Sequence, residues 1–197
     1  MAGLSMDEML ATALDCEVVP TQLTKSEYIL TATGNKVSRQ CVLCGSNNIG
    51  IAGKSVVKQG AILRGDLQLL RIGKYSIIGS EAVLRPSYKK YKGNFAFFPM
   101  AVGEYVTIGD RSVVSAAQIG HCVRIGEDCV IGKRCVIKDN CIIESGTHIP
   151  PDTVVPPLTI YGGQPGRYLG DLLESVGEEQ KHYAIQEYLR YKVATTK

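Results

Sequence analysis

The chain has 197 residues and a formal net charge of +3, with 45% hydrophobic and 21% charged residues. This composition is typical of a globular domain, and it disfavours a disordered segment or a nucleic-acid binder that depends on phosphate neutralisation. No uninterrupted apolar run approaches 18 residues, so we expect no membrane insertion, and an odd number of cysteines, seven, favours reduced thiols in the cytoplasm.

Residues 1–24 show only a weak apolar pattern, so we predict an irregular N-terminal arm there. Further along, an aliphatic residue recurs at every sixth position. A period of six spreads residues around an α-helix, whereas a short strand followed by a turn keeps them on one side. The residue four positions later is mostly small or β-branched, so each unit buries one large and one small side chain. The sixteen aliphatic positions are Ile51, Val57, Leu63, Ile72, Ile78, Leu84, Val102, Ile108, Val114, Ile119, Ile125, Ile131, Ile137, Ile143, Ile149 and Val155.

Three six-residue units close a triangular coil, and successive coils stack about 4.8 Å apart as parallel sheets. This register places Ile137 over Ile119 and Ile149 over Ile131. We therefore predict an all-β fold, a parallel β-helix over residues 25–170 whose interior is filled by aliphatic side chains.

Residues 85–101 interrupt the repeat and are predicted to form a loop that protrudes from a corner. The loop combines basic and aromatic residues, and aromatic residues and arginine are enriched at binding hot spots. One interpretation is that the phenylalanines fold back onto a wall while the lysines stay solvated. The other is a docking site for an acidic protein partner; three lysines make too small a basic patch to favour single-stranded nucleic acid. The candidate partner-binding residues are Tyr88, Lys89, Lys90, Tyr91, Lys92, Phe95, Phe97 and Phe98.

Residues 162–170 break the repeat, and residues 171–197 are predicted to form a C-terminal helical segment in which Gly177 divides two stretches. The end of a solenoid exposes unpaired backbone groups. We therefore expect this segment to fold over that end as a helical cap.

Two sets of motifs resemble known families. Arg64-Gly65-Asp66, Ile72-Gly73 and the run GQPGR at residues 163–167 are similar to the hexapeptide-repeat proteins and, among them, to the γ-class carbonic anhydrases, which implies a left-handed β-helix. Over residues 25–170 the chain more closely resembles the dynactin subunit 5 family, β-helix subunits of the dynactin pointed-end complex. This resemblance is carried by the segments KSEYILTATGNKVSRQ, LRGDL, VLRP, AFFP, VVSAAQIG, VIGKRCVIKD and PPDTVVPP.

The resemblance to the dynactin family implies a non-catalytic scaffold. It implies a role in dynein-driven transport along microtubules, through engagement of adaptors or cargo, in the cytoplasm and in association with the cytoskeleton. The implied partners are other dynactin subunits, especially the second β-helix subunit (subunit 6) and the actin-related protein at the pointed end, together with dynein adaptors.

The resemblance to the γ-class carbonic anhydrases raises the question of a metal site, which in that family needs three histidines. The matching positions hold Arg85, Asp110 and Ser115, and an arginine repels a cation. We therefore expect no metal, no cofactor and no catalytic residue. The alternative is a hexapeptide-repeat enzyme, either a γ-class carbonic anhydrase-like hydratase or an acyltransferase that uses His121 as general base.

Other polar residues are interpreted as structural. Arg64 and Asp66 are predicted to form a structural pair that bridges strands or subunits. His148 and His182 are interpreted as ordinary surface or corner histidines.

The cysteines are also interpreted as structural. Cys129, Cys135 and Cys141 occupy the small inward position on three successive walls, where a free thiol acts as a small hydrophobe. Cys41 and Cys44 form a single CxxC without a second pair, which favours structural thiols over zinc or redox chemistry.

Overall fold

Residues 21–23 and 27–193 are described in the computed structural model, and the six-residue repeat within them winds the chain into about six stacked coils. Each coil contributes one short strand to each of three parallel sheets, because a turn at every corner redirects the chain. We call these sheets walls 1, 2 and 3. The prediction of a parallel β-helix of the hexapeptide-repeat type is confirmed.

The three walls differ in their number of strands. Wall 1 has nine: β2 (Tyr28–Leu30), β3 (Lys36–Ser38), β6 (Val56–Val57), β9 (Ile77–Ile78), β14 (Thr107–Ile108), β17 (Arg124–Ile125), β20 (Ile142–Ile143), β23 (Thr159–Gly162) and β24 (Arg167–Asp171). Wall 2 has six: β4 (Val42–Cys44), β7 (Ile62–Arg64), β10 (Val83–Leu84), β15 (Val113–Val114), β18 (Val130–Ile131) and β21 (His148–Ile149). Wall 3 also has six: β5 (Ile49–Ile51), β8 (Leu70–Ile72), β13 (Met100–Val102), β16 (Gln118–Ile119), β19 (Val136–Ile137) and β22 (Val154–Val155).

The registers of the walls bring the aliphatic positions of successive coils over one another, and the predicted pairs Ile119–Ile137 and Ile131–Ile149 are both observed. Fifteen of the sixteen predicted aliphatic positions are buried. The exception is Ile51, which is half-buried because its strand, β5, is an edge strand of wall 3 and pairs only with β8. Burying one such side chain contributes roughly 1.5–3 kcal/mol, so these stacks dominate the stability of the solenoid.

The corners need backbone conformations or close approaches that few residues tolerate. Along one corner Tyr75, Tyr105 and Cys122 follow each other in successive coils, with φ between 53° and 57°. Glycine is needed where neighbouring coils touch, since a Cβ at Gly109 would lie 2.4 Å from the backbone of Gly126. The glycines that recur in the repeat therefore allow the coils to stack closely.

Both ends of wall 1 are closed by antiparallel strands. At the N-terminal end β2 pairs with β3, and at the other end β24 pairs with β23. Residues 162–170, where the repeat breaks, supply the turn and most of β24. Within the described residues, walls 2 and 3 end instead at β4 and β5 on one side and at β21 and β22 on the other.

The predicted C-terminal helix is present as α1 (Val176–Arg190), but the structure corrects its placement. It runs along the outside of wall 1 instead of lying over the end of the solenoid. The physical reason is the apolar outer face of this wall, where Val56 and Ile77 are buried together with Tyr188 of the helix. Covering these side chains removes apolar surface from water. The two ends of the wall are already paired by antiparallel strands.

Both ends of α1 make close contacts with residues of the coils. Gly177 does not divide two helices as predicted; it lies in the first turn, where a Cβ would come within 2.7 Å of Asn140 Oδ1. Near the other end, Lys36 Nζ donates a hydrogen bond of 2.7 Å to the backbone oxygen of Tyr188 and lies 3.6 Å from the centre of its ring. The hydroxyl of Tyr188 donates to the backbone oxygen of Gly34 at 2.9 Å.

Of the predicted N-terminal arm, residues 1–24, the structure describes only β1 (Thr21–Leu23), which pairs in parallel with β25 (Tyr191–Val193) beyond α1. The rest of the arm lies outside the described residues. In the part of the chain that the structure describes, no helix combines the length and apolar character needed to cross a bilayer.

Candidate functional site

Residues 85–101 leave the corner between walls 2 and 3 and contain an antiparallel hairpin of β11 (Tyr88–Tyr91) and β12 (Asn94–Phe97). Its two-residue turn is formed by Lys92 and Gly93, with φ of 45° and 87°. Positive φ at both positions matches the twist of a tight hairpin. The segment is therefore an ordered projection with its own cross-strand pairing.

One face of the hairpin is aromatic. The register places Tyr88 opposite Phe97 and Lys90 opposite Phe95, so these four side chains share a face. The ring of Tyr88 meets those of Phe95 and Phe97 with centroids 5.5 Å and 5.7 Å apart, and Lys90 Nζ lies 5.7 Å from the centre of the Phe95 ring. Cross-strand aromatic packing of this kind stabilises a two-stranded unit that would otherwise be marginal.

Tyr88 also fixes the hairpin to a later coil. Lys133 Nζ donates a hydrogen bond of 2.8 Å to the Tyr88 hydroxyl and lies 3.9 Å from the centre of its ring. Arg134 Nη1 donates to the backbone oxygen of Tyr88 at 2.9 Å. The hydrogen bond from Lys133 lowers the pKa of the Tyr88 phenol, because it favours the charged form.

The predicted partner-binding residues divide between the base and the exposed part of the hairpin. Tyr88 and Phe97 are half-buried, whereas Phe95 is 59% and Phe98 38% exposed. The side chain of Tyr91 lies outside the described part of the structure. Three lysines are exposed: Lys89, Lys90 and Lys92. The hairpin thus presents basic and aromatic groups together on its outer part.

Two polar groups beneath the hairpin are buried without a hydrogen-bond partner among the described residues. They are Nε of Arg85 and Oγ of Ser87. An unsatisfied buried donor or acceptor costs about 1–3 kcal/mol. The hydrogen bonds from Lys133 and Arg134 hold the base of the hairpin even though these two buried polar atoms have no partner there.

The three positions that correspond to a γ-class metal site do not come together in this chain. Arg85 and Ser115 are neighbours at the corner between walls 2 and 3, whereas Asp110 lies at the corner between walls 1 and 2. Asp110 Oδ1 accepts a hydrogen bond of 2.8 Å from the Ser80 amide and lies 3.6 Å from Lys58 Nζ. Within residues 21–23 and 27–193, no three histidine, cysteine or acidic side chains are grouped to hold a metal ion. These residues do not fit a metal centre.

The histidines were the other candidates for chemistry. Nδ1 of His121 accepts a hydrogen bond of 3.1 Å from the Glu104 amide, and the His121 amide donates to Asp139 Oδ1 at 2.7 Å. With Nδ1 as acceptor, a neutral ring carries its proton on Nε2. His148 is exposed on the outer face of wall 2, and His182 is exposed on α1.

The cysteines of the repeat lie inside the coils. The thiols of Cys129, Cys135 and Cys141 each donate to a backbone carbonyl at 2.9–3.0 Å. Burial raises the pKa of all three, which keeps them as neutral thiols. Cys41 and Cys44 are half-buried near the first strand of wall 2, and burial also raises the pKa of Cys41.

Arg64 and Asp66 form an exposed bidentate ion pair, with Nε–Oδ1 at 2.7 Å and Nη2–Oδ2 at 2.8 Å. The hydrogen bond from Arg64 lowers the pKa of Asp66. The predicted pair is present, but it closes a single turn within one coil and does not bridge two strands; a bridge between subunits stays a prediction. Gly65 between them has no room for a side chain, since a Cβ would lie 2.5 Å from Ile49 Cγ1.

The residues that sequence reasoning missed are Lys133 and Arg134, which follow Tyr88 by 45 and 46 positions. A signal for them was available in the coil register. Arg85, Ser115 and Gly132 share one corner in successive coils, so a loop that leaves at Arg85 and bends towards the C-terminal coils meets the residues after Gly132.

Residues 17–195 match the family model described as Dynactin subunit 5. Among curated proteins, the chain is similar to "Dynactin subunit 5" of Dictyostelium discoideum, with 56% identity over 172 residues that cover 87% of each chain.

Among solved structures, the chain is similar to a hexapeptide transferase family protein from Anaplasma phagocytophilum, with 16% identity, a TM-score of 0.58 and coverage of 81% of this chain and 91% of the other. It is also similar to a mutant of AntD, an N-acyltransferase from Bacillus cereus solved with dTDP and coenzyme A. Here the identity is 15% and the TM-score 0.60, over 93% of this chain and 98% of the other. At such identities the likeness shows the β-helix fold alone.

Proposed function

Because the chain belongs to the dynactin subunit 5 family, we propose that it is a non-catalytic scaffold subunit of the dynactin pointed-end complex that supports dynein-driven transport along microtubules. It acts in the cytoplasm in association with the cytoskeleton. The observation that carries the proposal is the 56% identity to a dynactin subunit over 87% of both chains.

The partners in this proposal are other dynactin subunits, in particular the second β-helix subunit (subunit 6) and the actin-related protein at the pointed end. The shape of the molecule supports association of this kind. A solenoid offers flat walls and open strand edges, which suit side-by-side packing and strand addition. Walls 2 and 3 both end in such edges within the described residues.

The hairpin is the part of the molecule that we assign to dynein adaptors, through an acidic segment of the adaptor. Lys89, Lys90 and Lys92 supply the positive charge, and the exposed rings of Phe95 and Phe98 supply apolar contact area. Its base is fixed by the hydrogen bonds of Tyr88, so little conformational entropy is lost when a partner binds.

Affinity purification of the full chain from native extract tests the first part of the proposal, since dynactin subunits should co-purify. Recovery of a free homotrimer without dynactin subunits would contradict it. A triple variant, Lys89→Ala, Lys90→Ala and Lys92→Ala, tests the hairpin. It should still enter dynactin but bind adaptors at least about tenfold more weakly, because a cluster of complementary charges is lost. Alanine at the exposed Lys74 and Lys138 is the matched control and should leave both properties unchanged.

The alternative function, a hexapeptide-repeat hydratase or acyltransferase, draws support only from the fold that the chain shares with such enzymes. Two measurements separate it from the scaffold proposal. One tightly held transition-metal ion per purified chain would favour the hydratase, and acetyl transfer that is lost in His121→Asn would favour the acyltransferase.

A further inference from the structure

The outer face of wall 2 carries a continuous column of aliphatic side chains. In each strand of this wall the residue before the core position points outward, and the register stacks these residues directly over one another. From the first coil to the last, the column has five aliphatic residues followed by a histidine: Val42, Ile62, Val83, Val113, Val130 and His148.

The other two walls are different on the outside. In wall 1, α1 covers Val56 and Ile77, and the two other apolar residues of that outer column, Ile142 and Ile160, are half-buried. The corresponding column of wall 3 has polar and small residues in its first four coils and aliphatic residues only in the last two. It consists of Gly50, Arg71, Ala101, Gln118, Val136 and Val154, and Val154 is 57% exposed. In wall 2, by contrast, Val42 is 49% and Val130 42% exposed. Wall 2 is thus the wall whose apolar column is not covered by the helix of this chain.

Ion pairs border this column on both sides. At the corner with wall 1, Arg111 Nη2 lies 2.7 Å from Asp128 Oδ2. At the corner with wall 3, Arg134 pairs with Asp152, and the Arg64–Asp66 turn lies at the same corner. An apolar centre with a polar rim is the usual anatomy of a protein–protein interface.

The dimensions of the wall indicate which kind of partner fits. Six strands about 4.8 Å apart and about five residues wide give a flat area of roughly 450 Å². A single helix, about 10 Å in diameter, would cover roughly half of it. A second β-helix wall of the same size would cover all of it, and the two surfaces together give roughly 900 Å², just under the area of about 1,000 Å² expected of a specific interface.

We propose that wall 2 is the surface on which this chain packs face to face against a wall of a second β-helix subunit, with the Val42–Val130 column at the centre of the interface. This inference rests on the proposed function, because it assigns a place to the β-helix partner named there. The two sheets pack about 10 Å apart, as in other sheet-on-sheet contacts, and the aliphatic column fills the space between them.

Two valines allow a matched test. Val130 on wall 2 and Val154 on wall 3 both point outward from two-residue strands, and both precede a buried core residue. Each full-length variant, Val130→Glu or Val154→Glu, is co-expressed with dynactin subunit 6, and the affinity of the pair is measured. Val130→Glu should weaken binding at least about tenfold, since a charge is forced into an apolar contact. Val154→Glu should change it by less than about twofold.

The outcomes separate the two proposals. If the wild-type chain does not bind subunit 6, that partner assignment fails, whatever the variants do. If the wild type and both variants bind equally, or only Val154→Glu loses binding, the assignment of wall 2 is overturned while the proposed function stands. If the chain alone forms a dimer that Val130→Glu dissociates, the occupant is a second copy and the assignment of the partner is overturned. Thermal unfolding of the free chains controls for folding, and Val130→Thr, which keeps the shape of the side chain, should weaken binding several-fold if Val130→Glu does not fold.

Discussion

Removing the ring of Tyr188 is expected to release the end of α1 from wall 1. This residue is 8% exposed, its hydroxyl donates to the Gly34 backbone oxygen at 2.9 Å, and Lys36 Nζ lies 3.6 Å from the ring centre. Substituting a buried large aromatic residue by alanine costs about 3–5 kcal/mol, and we expect Tyr188→Ala to fall in this range. Tyr188→Phe removes only the hydroxyl, so its cost should be about 0.5–1.5 kcal/mol.

Denaturant unfolding and native-state hydrogen exchange measure this effect. In Tyr188→Ala, amides of residues 176–190 should exchange at least about 100-fold faster, whereas the central coils should keep their protection, because each coil of a solenoid contacts only its neighbours. Tyr168→Ala, at a tyrosine that is 51% exposed, is the control and should cost less than about 0.5 kcal/mol. A cost below about 1 kcal/mol for Tyr188→Ala, or equal acceleration of exchange in all coils, would refute the reasoning.

Three other predictions concern single sites. Ser87→Ala should stabilise the fold by about 1 kcal/mol in denaturant unfolding, because it removes a buried hydroxyl that has no partner among the described residues; a loss of stability would show that the hydroxyl is satisfied. Gly109→Ala should lower the free energy of unfolding by at least about 1–3 kcal/mol, because its Cβ would lie 2.4 Å from the backbone of the next coil. Gly50→Ala is the control and should be close to neutral, since its Cβ would have no atom within 4 Å. Equal effects of the two substitutions would show that the close approach of the coils does not determine the loss. Burial raises the thiol pKa of Cys129, Cys135 and Cys141 above the usual 9.0. The free energy of unfolding should therefore be unaffected below about pH 9 and should fall at higher pH, because the thiols of the unfolded chain ionise first. Iodoacetamide at pH 8 should leave the three thiols of the folded chain unmodified, and their rapid labelling at this pH would count against their burial.

The core could be predicted from the sequence because it depends on a local period. A residue such as Ile137 faces inward and lies over Ile119 as a direct result of the coil length. The position of α1 could not be predicted in the same way. It depends on Val56 and Ile77, whose outward direction follows from the period but whose need for cover depends on which other surfaces the chain leaves free.

The sequence predicted which residues form the candidate site, but not how the hairpin is attached to the coils. The basic and aromatic residues of 85–101 indicated a projecting segment, and the Lys92-Gly93 pair is a recognisable turn. The anchoring of Tyr88 by Lys133 and Arg134 depends on the direction in which the hairpin leans, which no local pattern encodes.

The antiparallel strands at the two ends of wall 1 limit how the solenoid can be extended. A further coil would need a parallel strand at the place that β2 or β24 already occupies. An axial neighbour would therefore meet β2 or β24, and not a coil of the repeat, at wall 1, so the six-residue repeat does not continue through that wall in the same register. The chain is shaped to terminate a stack and not to propagate one.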